Sequence, residues 1–404
     1  MSAIMVIPGS TSQIPMIKRF RELGYEVVCV NPYKDSPAFP YANYSEQYDI
    51  LDIDACMKVA KKYHVCAVIS DECDIAMPTV AAVSEALNLP SIGSRLARLY
   101  TNKEEMRAFS RDNGFPCPAF QECESLNEAE CFFRALPVRK MIIKPLDSNS
   151  SRGVYTITTL KELQESFDKS MHFSHSKKAV LCEEYIEGTE FTVDGIVLNG
   201  VHYSLTISKK KHYSHHPNIA CELYFSHSDP DFDYEQLRKQ NDLYVEKTGL
   251  SFGFTHAEYK FDGSRFVMVE IGARGGGNYI SSDIVPVMTG LDNYKLLVEH
   301  TLNSDAYDQY VYDESLRKRC SILKFFDIDN EHSGKRVKKI EGEGLLKNNP
   351  KVIRYEFHCK PGDIVSVADN DSQRIGYYIA YGDTRKELDA LIQLISEEVK
   401  LVFE

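Results

Sequence analysis

The chain has 404 residues, of which 43% are hydrophobic and 26% charged, and 59 acidic against 47 basic side chains give a formal charge of −12. That length exceeds what one core supports, so two or three domains are expected. The acidic balance excludes a general binder of nucleic acid or of anionic membrane, and any phosphate site has to be a local basic pocket.

The opening MSAIMVIPGS carries an apolar run too short to span a bilayer and lacks a basic lead or a small-residue cleavage pattern, so a cytoplasmic location is expected. Residues 3–8 and 26–32 read as strands flanking a helical pattern, QIPMIKRFRELG, that stops at Gly24. A helix over 54–63, a strand over 66–70 and a helix over 79–87 continue the alternation, which predicts a small parallel α/β domain. Its first turn, PGSTSQIP, lacks G-x-G-x-x-G and argues against a dinucleotide site there. A polar helix-prone segment, NKEEMRAFSRDNG, then leads to MIIKPLDSNSSRGVYTI and to AVLCEEYIEGTEFTVDGIVLNG, each read as strand and turn. The basic tract SKKKHYSHHPN, residues 208–218, is expected to be a mobile loop, either a solvated face or a cover for substrate. Beyond a helix at 233–248 come THAEYKFDGSRFVMVEIGARGGG, a helix near 291–303, strands near 319–326 and 352–359, the turn KPGD, the strand RIGYYIAYG and a C-terminal helix. The eleven cysteines fall outside C-x-x-C pairs and often within apolar runs, which suits reduced core thiols.

Two segments carry the chemistry. In the first, Lys144 ends an apolar β-branched run and is followed by Ser148, Asn149, Ser150, Ser151 and Gly153. Small, permissive residues let backbone N–H groups surround an anion, and the lysine supplies charge. The order is not that of a P-loop, so from the residues alone the stretch fits either an anion cradle or a polar turn. In the second, Asp262-Gly263-Ser264 joins two aromatic and β-branched strands into a hairpin. Glu258 and Glu270 each stand six residues from Ser264, so they should meet across the ladder, with His256 on the face of Glu258. Two facing carboxylates repel unless a cation lies between them, and oxygen ligands suit Mg²⁺. Arg274 and Gly275 to Gly277 add a cation and close backbone approach at the same strand end.

These residues, in this order and spacing, resemble the ATP-grasp carboxylate-amine ligases, and among them the bacterial L-amino acid ligases. The resemblance covers nearly the whole chain. It implies an α/β and α+β multidomain fold: a Rossmann-like pre-ATP-grasp domain over 1–98, a two-lobed ATP-grasp fold over 99–305 and a small α+β C-terminal domain over 306–404. It further implies ATP and Mg²⁺ as cofactors, with Mn²⁺ as a substitute. Lys103 and Lys144 match the two ATP-phosphate lysines, and Ser148 to Gly153, with Ser150 and Ser151, match the phosphate-covering loop. Glu183, Glu184 and Ile186 match the interlobe hinge that reads adenine, and Glu190 matches the ribose acid. Glu258 and Glu270 match the metal ligands, while Arg274 and His256 are the catalytic candidates. Many relatives read E-x-N after the second acid, whereas this chain reads Glu270-Ile271-Gly272, so water or another oxygen completes the shell or the cation is held more loosely.

The activity implied is ADP-forming coupling of a carboxylate, as acyl phosphate, to an amine. A carboxylase or carboxylate-thiol ligase is the alternative within the superfamily, and a non-catalytic nucleotide-binding module is the alternative outside it. Partners would be small-molecule carboxylate and amine substrates, without nucleic acid or membrane, and homodimer formation stays open.

Overall fold

The computed structural model describes residues 3–147, 152–174, 177–302 and 313–404. The first strands, β1 (Ala3–Val6) and β2 (Glu26–Asn31), flank α1 (Ile14–Glu22), and β3 (Tyr44–Gln47), α2 (Ile53–Lys62), β4 (Val65–Ile69) and α3 (Met77–Ala86) follow. The four strands form a parallel sheet in the order β3-β2-β1-β4. Almost every residue of β1, β2 and β4 is buried, as apolar runs covered by helices on both faces require. Helix α1 stops because Gly24 takes a φ of +92°, which glycine adopts without the Cβ penalty.

Helices α4 (Ser94–Leu99) and α5 (Lys103–Asp112) lead into a four-stranded antiparallel sheet of order β5-β8-β6-β7, made from β5 (Phe120–Cys123), β6 (Met141–Pro145), β7 (Tyr155–Ile157) and β8 (Val180–Glu184). One face of this sheet packs on α6 (Leu126–Ala135) and α7 (Leu160–Met171) through Met141, Ile143, Cys182, Phe133 and Phe167. Side chains alternate along a strand, so Lys144 and Glu183 emerge on the opposite face.

An eight-stranded sheet makes the larger lobe. Its strands β9 (Thr189–Leu198), β10 (Val201–Tyr213), β11 (His216–Ser226), β12 (Gly253–Phe261) and β13 (Phe266–Gly272) come before β14 (Cys320–Phe325), β16 (Val352–Phe357) and β18 (Gly376–Gly382) in the chain. Their spatial order is β13-β12-β9-β10-β11-β14-β18-β16, so the residues expected to form a separate C-terminal domain add three strands to this sheet. Helix α8 (Tyr234–Thr248) covers one face through Leu237 and Tyr244, which pack with Phe191, Val193, Ala257 and Tyr259. Helices α9 (Val285–Thr289) and α10 (Asn293–Thr301) lie in a second core that also holds Phe20 of α1, Phe225 of β11 and Leu323 of β14. The remainder comprises β15 (Lys335–Glu341), α11 (Glu343–Asn348), β17 (Ile364–Val365), α12 (Arg385–Glu398) and β19 (Lys400–Phe403), with a small sheet of order β17-β15-β19.

The expected mobile loop at 208–218 is corrected: its residues lie in the antiparallel hairpin β10–β11 and the tight turn between those strands. Its lysines are held by acids on both faces of the sheet, which is why a run of like charges can adopt strand. Among the described residues no helix is long and apolar enough to cross a membrane. All eleven cysteines are free thiols.

Candidate functional site

The small antiparallel sheet and the face of the large sheet turned away from α8 enclose a cavity of about 290 Å³. Since Phe191 and Val193 point into the α8 core, Glu190 and Thr192 of β9 face the cavity. Ala257 and Tyr259 likewise leave His256, Glu258 and Lys260 of β12 on the cavity wall. The turn after β12 is closed by Asp262, whose Oδ1 accepts the N–H groups of Ser264 and Arg265 at 2.9 and 3.0 Å, and a register shift between Tyr259 and Glu258 then brings Glu258 opposite Glu270. Lys103 begins α5, where Asn102 caps the helix by accepting from Glu105 N–H at 3.0 Å, and its N–H donates to the Leu146 carbonyl just past Lys144. Both lysines thereby reach the same cavity.

Each acid on this wall already has a cation. The Glu183 carboxylate lies between Arg107 Nε at 2.6 Å and Lys144 Nζ at 2.7 Å, all three side chains being under a tenth exposed. Burial acts to raise the Glu183 carboxyl, but the charges of Arg107 and Lys144 outweigh it and hold the group below its ordinary range. Burial dominates for the Lys144 ammonium and, with Arg107 and Lys103 nearby, brings it down to about 8 against the pull of Glu183. Lys103 Nζ lies 2.8 Å from Glu270 Oε1. Lys210 Nζ lies 2.7 Å from Glu190 and 2.7 Å from Glu258. Burial would raise both of these carboxyls, yet Lys210 overrides it, keeping Glu190 near 2 and Glu258 well below its ordinary value. His256 donates through Nδ1 to Asp194 Oδ1 at 2.7 Å, and its Nε2 stands 3.9 Å from Glu258. Burial would lower the imidazole, but the Asp194 charge prevails and raises it.

Residues 138–283 match the ATP-grasp domain family, and residues 333–404 match the L-amino acid ligase C-terminal domain 2. The chain carries an ATP-grasp domain. It is 25% identical over 231 residues to dapdiamide A synthase of Enterobacter agglomerans, a match covering 55% of this chain and only 53% of that protein. The crystal structure of L-amino acid ligase from Bacillus licheniformis superposes with a TM-score of 0.82 at 19% identity, covering 100% of this chain and 99% of that one. N5-carboxyaminoimidazole synthetase from Staphylococcus aureus, crystallised with ADP, gives a TM-score of 0.73 at 14% identity over 97% of this chain and 96% of that one. At these identities the structural likeness speaks for the fold.

Around this ATP-grasp domain the cavity gathers Lys103, Lys144, Glu183, Glu190, His256, Glu258 and Glu270. Glu184, Ile186 and Arg274, also singled out in the sequence, do not themselves line that cavity. Glu184 accepts from Ala119 N–H at 3.3 Å, and the Ile186 carbonyl accepts from Lys260 Nζ at 3.3 Å. Arg274 reaches back to the N-terminal region, donating Nε and Nη2 to the Asp74 carboxylate at 2.9 and 2.5 Å and Nη1 to the Gly275 carbonyl at 2.9 Å. Those bonds leave two of its five N–H donors for a ligand. Gly272 permits this pairing, because a Cβ there would stand 2.5 Å from Asp74 Oδ1. Gly275 and Gly276 are equally close to Asp71 and to the Asp194–His256 pair, and Asp71 fixes the loop by accepting from Gly275 N–H at 2.8 Å and Ser281 Oγ at 2.7 Å. Gly153, with φ of +73°, packs against Pro145 and Phe173, whereas Ser150 and Ser151 lie outside the described residues.

Sequence reasoning missed Arg107, Asp194, Lys210 and Asp74. An aspartate within the apolar strand FTVDGI was a legible signal for Asp194; Arg107 gave none. As for a cation, among the described residues no group of three or more His, Cys, Asp or Glu converges to hold a metal. Two facing carboxylates instead fit Mg²⁺, which takes one or two protein carboxylates and fills its shell from substrate phosphate and water.

Proposed function

We propose that this protein is an ATP-dependent ligase that activates a carboxylate, that of an amino acid, as an acyl phosphate and couples it to an amine, releasing ADP and phosphate. One observation carries the reading: two buried lysines, Lys103 and Lys144, share one cavity with the opposed acids Glu258 and Glu270. The L-amino acid ligase C-terminal domain and the likeness to the Bacillus licheniformis enzyme support the choice of an amino acid.

Nucleotide phosphates would lie along Lys144 and Lys103, with the base toward the hinge near Ile186 and the ribose at Glu190. Glu258 and Glu270 would hold Mg²⁺, which supplies charge neutralisation on the transferring phosphoryl group. A carboxylate oxygen of the first substrate takes the γ-phosphoryl group and ADP leaves. The amine nitrogen of the second then attacks the acyl carbon, phosphate departs and the amine loses a proton. Arg274, at the strand end beyond Glu270, is the candidate to steady phosphoryl oxygens, since a planar guanidinium suits them. His256, oriented by Asp194, would hold Glu258 in place. A cytoplasmic site of action and small-molecule substrates belong to the same proposal.

Phosphate release with ATP and Mg²⁺ across amino acids and other carboxylates, against amines, thiols and bicarbonate, tests the reading, with products identified by mass. Release requiring an amine, abolished by Glu270→Gln in a folded protein, is expected. Release requiring bicarbonate or thiol alone would select the carboxylase or thiol-ligase reading, and nucleotide binding without turnover on any acceptor would select a non-catalytic module.

A further inference from the structure

In the run Lys209 to Lys211, strand alternation sends the outer two lysines to Asp229 and Glu222 and sends Lys210 alone into the cavity. Its side chain is 10% exposed, and its ammonium lies 2.7 Å from both Glu190 Oε1 and Glu258 Oε1. Glu190 and Glu258 stand on one face of the paired strands β9 and β12, where Glu258 is in register with Thr192, two residues from Glu190. Carboxylates so placed repel each other unless a cation separates them, and here that cation belongs to the chain itself. His212 approaches Glu190 only to 3.4 Å and His256 approaches Glu258 only to 3.9 Å, so Lys210 makes the short contacts.

We infer that Lys210 is a built-in counter-ion that competes with the divalent cation for Glu258 in the nucleotide-free protein and gives that carboxylate up when phosphates arrive. A primary ammonium has three donors on a flexible stem, so it can move from two carboxylates to phosphate oxygens without leaving the cavity. Cation affinity thereby becomes conditional on nucleotide. The inference rests on Glu258 being a cation ligand, as set out under Proposed function.

The test is Mn²⁺ binding to the nucleotide-free full-length protein, followed by the electron paramagnetic resonance signal of free Mn²⁺. Wild type should bind weakly, Lys210→Met and Lys210→Gln at least about tenfold more tightly, and Lys210→Arg no better than wild type. Adding Glu258→Gln to Lys210→Gln should abolish the gain. Mn²⁺ binding in the presence of a non-hydrolysable ATP analogue, compared between wild type and Glu258→Gln, tests the ligand assignment separately. If Glu258→Gln leaves that binding unchanged, the assignment fails. If Glu258→Gln weakens it but neither neutral Lys210 variant gains affinity without nucleotide, the assignment stands and the competition is refuted. Lys210→Gln keeps hydrogen bonding to both acids and is the variant to read should Lys210→Met not fold. If neither neutral variant folds, Lys210 is a structural cation and the inference is overturned.

Discussion

The Lys144 ammonium is brought down to about 8, chiefly by burial and further by Arg107 and Lys103, so nucleotide affinity should depend on pH in a range where most lysines do not titrate. Only the charged form makes a strong bond to phosphate, and it predominates below that value. With a titration centred near 8, the charged fraction is about nine-tenths at pH 7 and about one-tenth at pH 9. If the neutral amine contributes nothing, affinity for a non-hydrolysable ATP analogue falls about tenfold between those limits, or ~1.4 kcal/mol. Isothermal titration at several pH values reads this directly. Above pH 8, binding should also take up a proton, visible as a dependence of the heat on the ionisation enthalpy of the buffer. Lys144→Arg, which stays charged throughout, should flatten the profile. A wild-type affinity constant from pH 7 to 9, or a Lys144→Arg profile as steep as wild type, would refute the reasoning.

Arg107→Met leaves Glu183 with Lys144 alone and should destabilise the smaller lobe by about 3 kcal/mol, the cost of breaking a buried pair, seen as faster amide exchange in β6 and β8. Gly188, with φ of +132°, admits no side chain, since a Cβ there would stand 1.9 Å from the Phe261 carbonyl oxygen. Gly188→Ala should therefore lower both the melting temperature and nucleotide affinity, whereas Gly200→Ala, with φ of +79° and no atom within 4 Å, should cost only about 1 kcal/mol of backbone strain and leave affinity intact. Arg274→Lys should lower single-turnover rate by about 10²-fold with little change in the ATP dissociation constant, because a lysine cannot keep the forked Asp74 contact and still present a fixed donor.

What could be read in the sequence is what is encoded over short spans. The N-terminal β-α-β alternation and the existence of the β12–β13 hairpin follow from periodicity and from one Asp-Gly-Ser turn, whereas the pairing of Glu258 with Glu270 also needs a one-residue register shift that the turn does not encode. The partners were not legible, because each joins distant segments. Lys210 answers acids 20 and 48 residues away, Arg107 an acid 76 residues away, and Arg274 an acid 200 residues away. Charge runs usually mark solvated surface, so Lys209 to Lys211 read as loop until the sheet supplied an acid for each. Gly272 reads as a missing ligand in the sequence; in three dimensions it is the space that Asp74 occupies.

The uninterrupted run of eight strands has a consequence for how the chain can be divided. Strand β11 bonds to β10 on one side and to β14 on the other, and β14 is the first strand after residue 313. A protein ending near 305 would leave Glu222 to Phe225 of β11 without their partner strand, baring backbone N–H and C=O groups there and opening Leu223 and Phe225 to water. Such an edge recruits another chain instead of standing alone. The nucleotide-facing half of this molecule is therefore not a portable cassette: it should precipitate or pair with itself when cut free, and it should recover a soluble monomeric state only when β14 is returned to it, in cis or as a separate peptide.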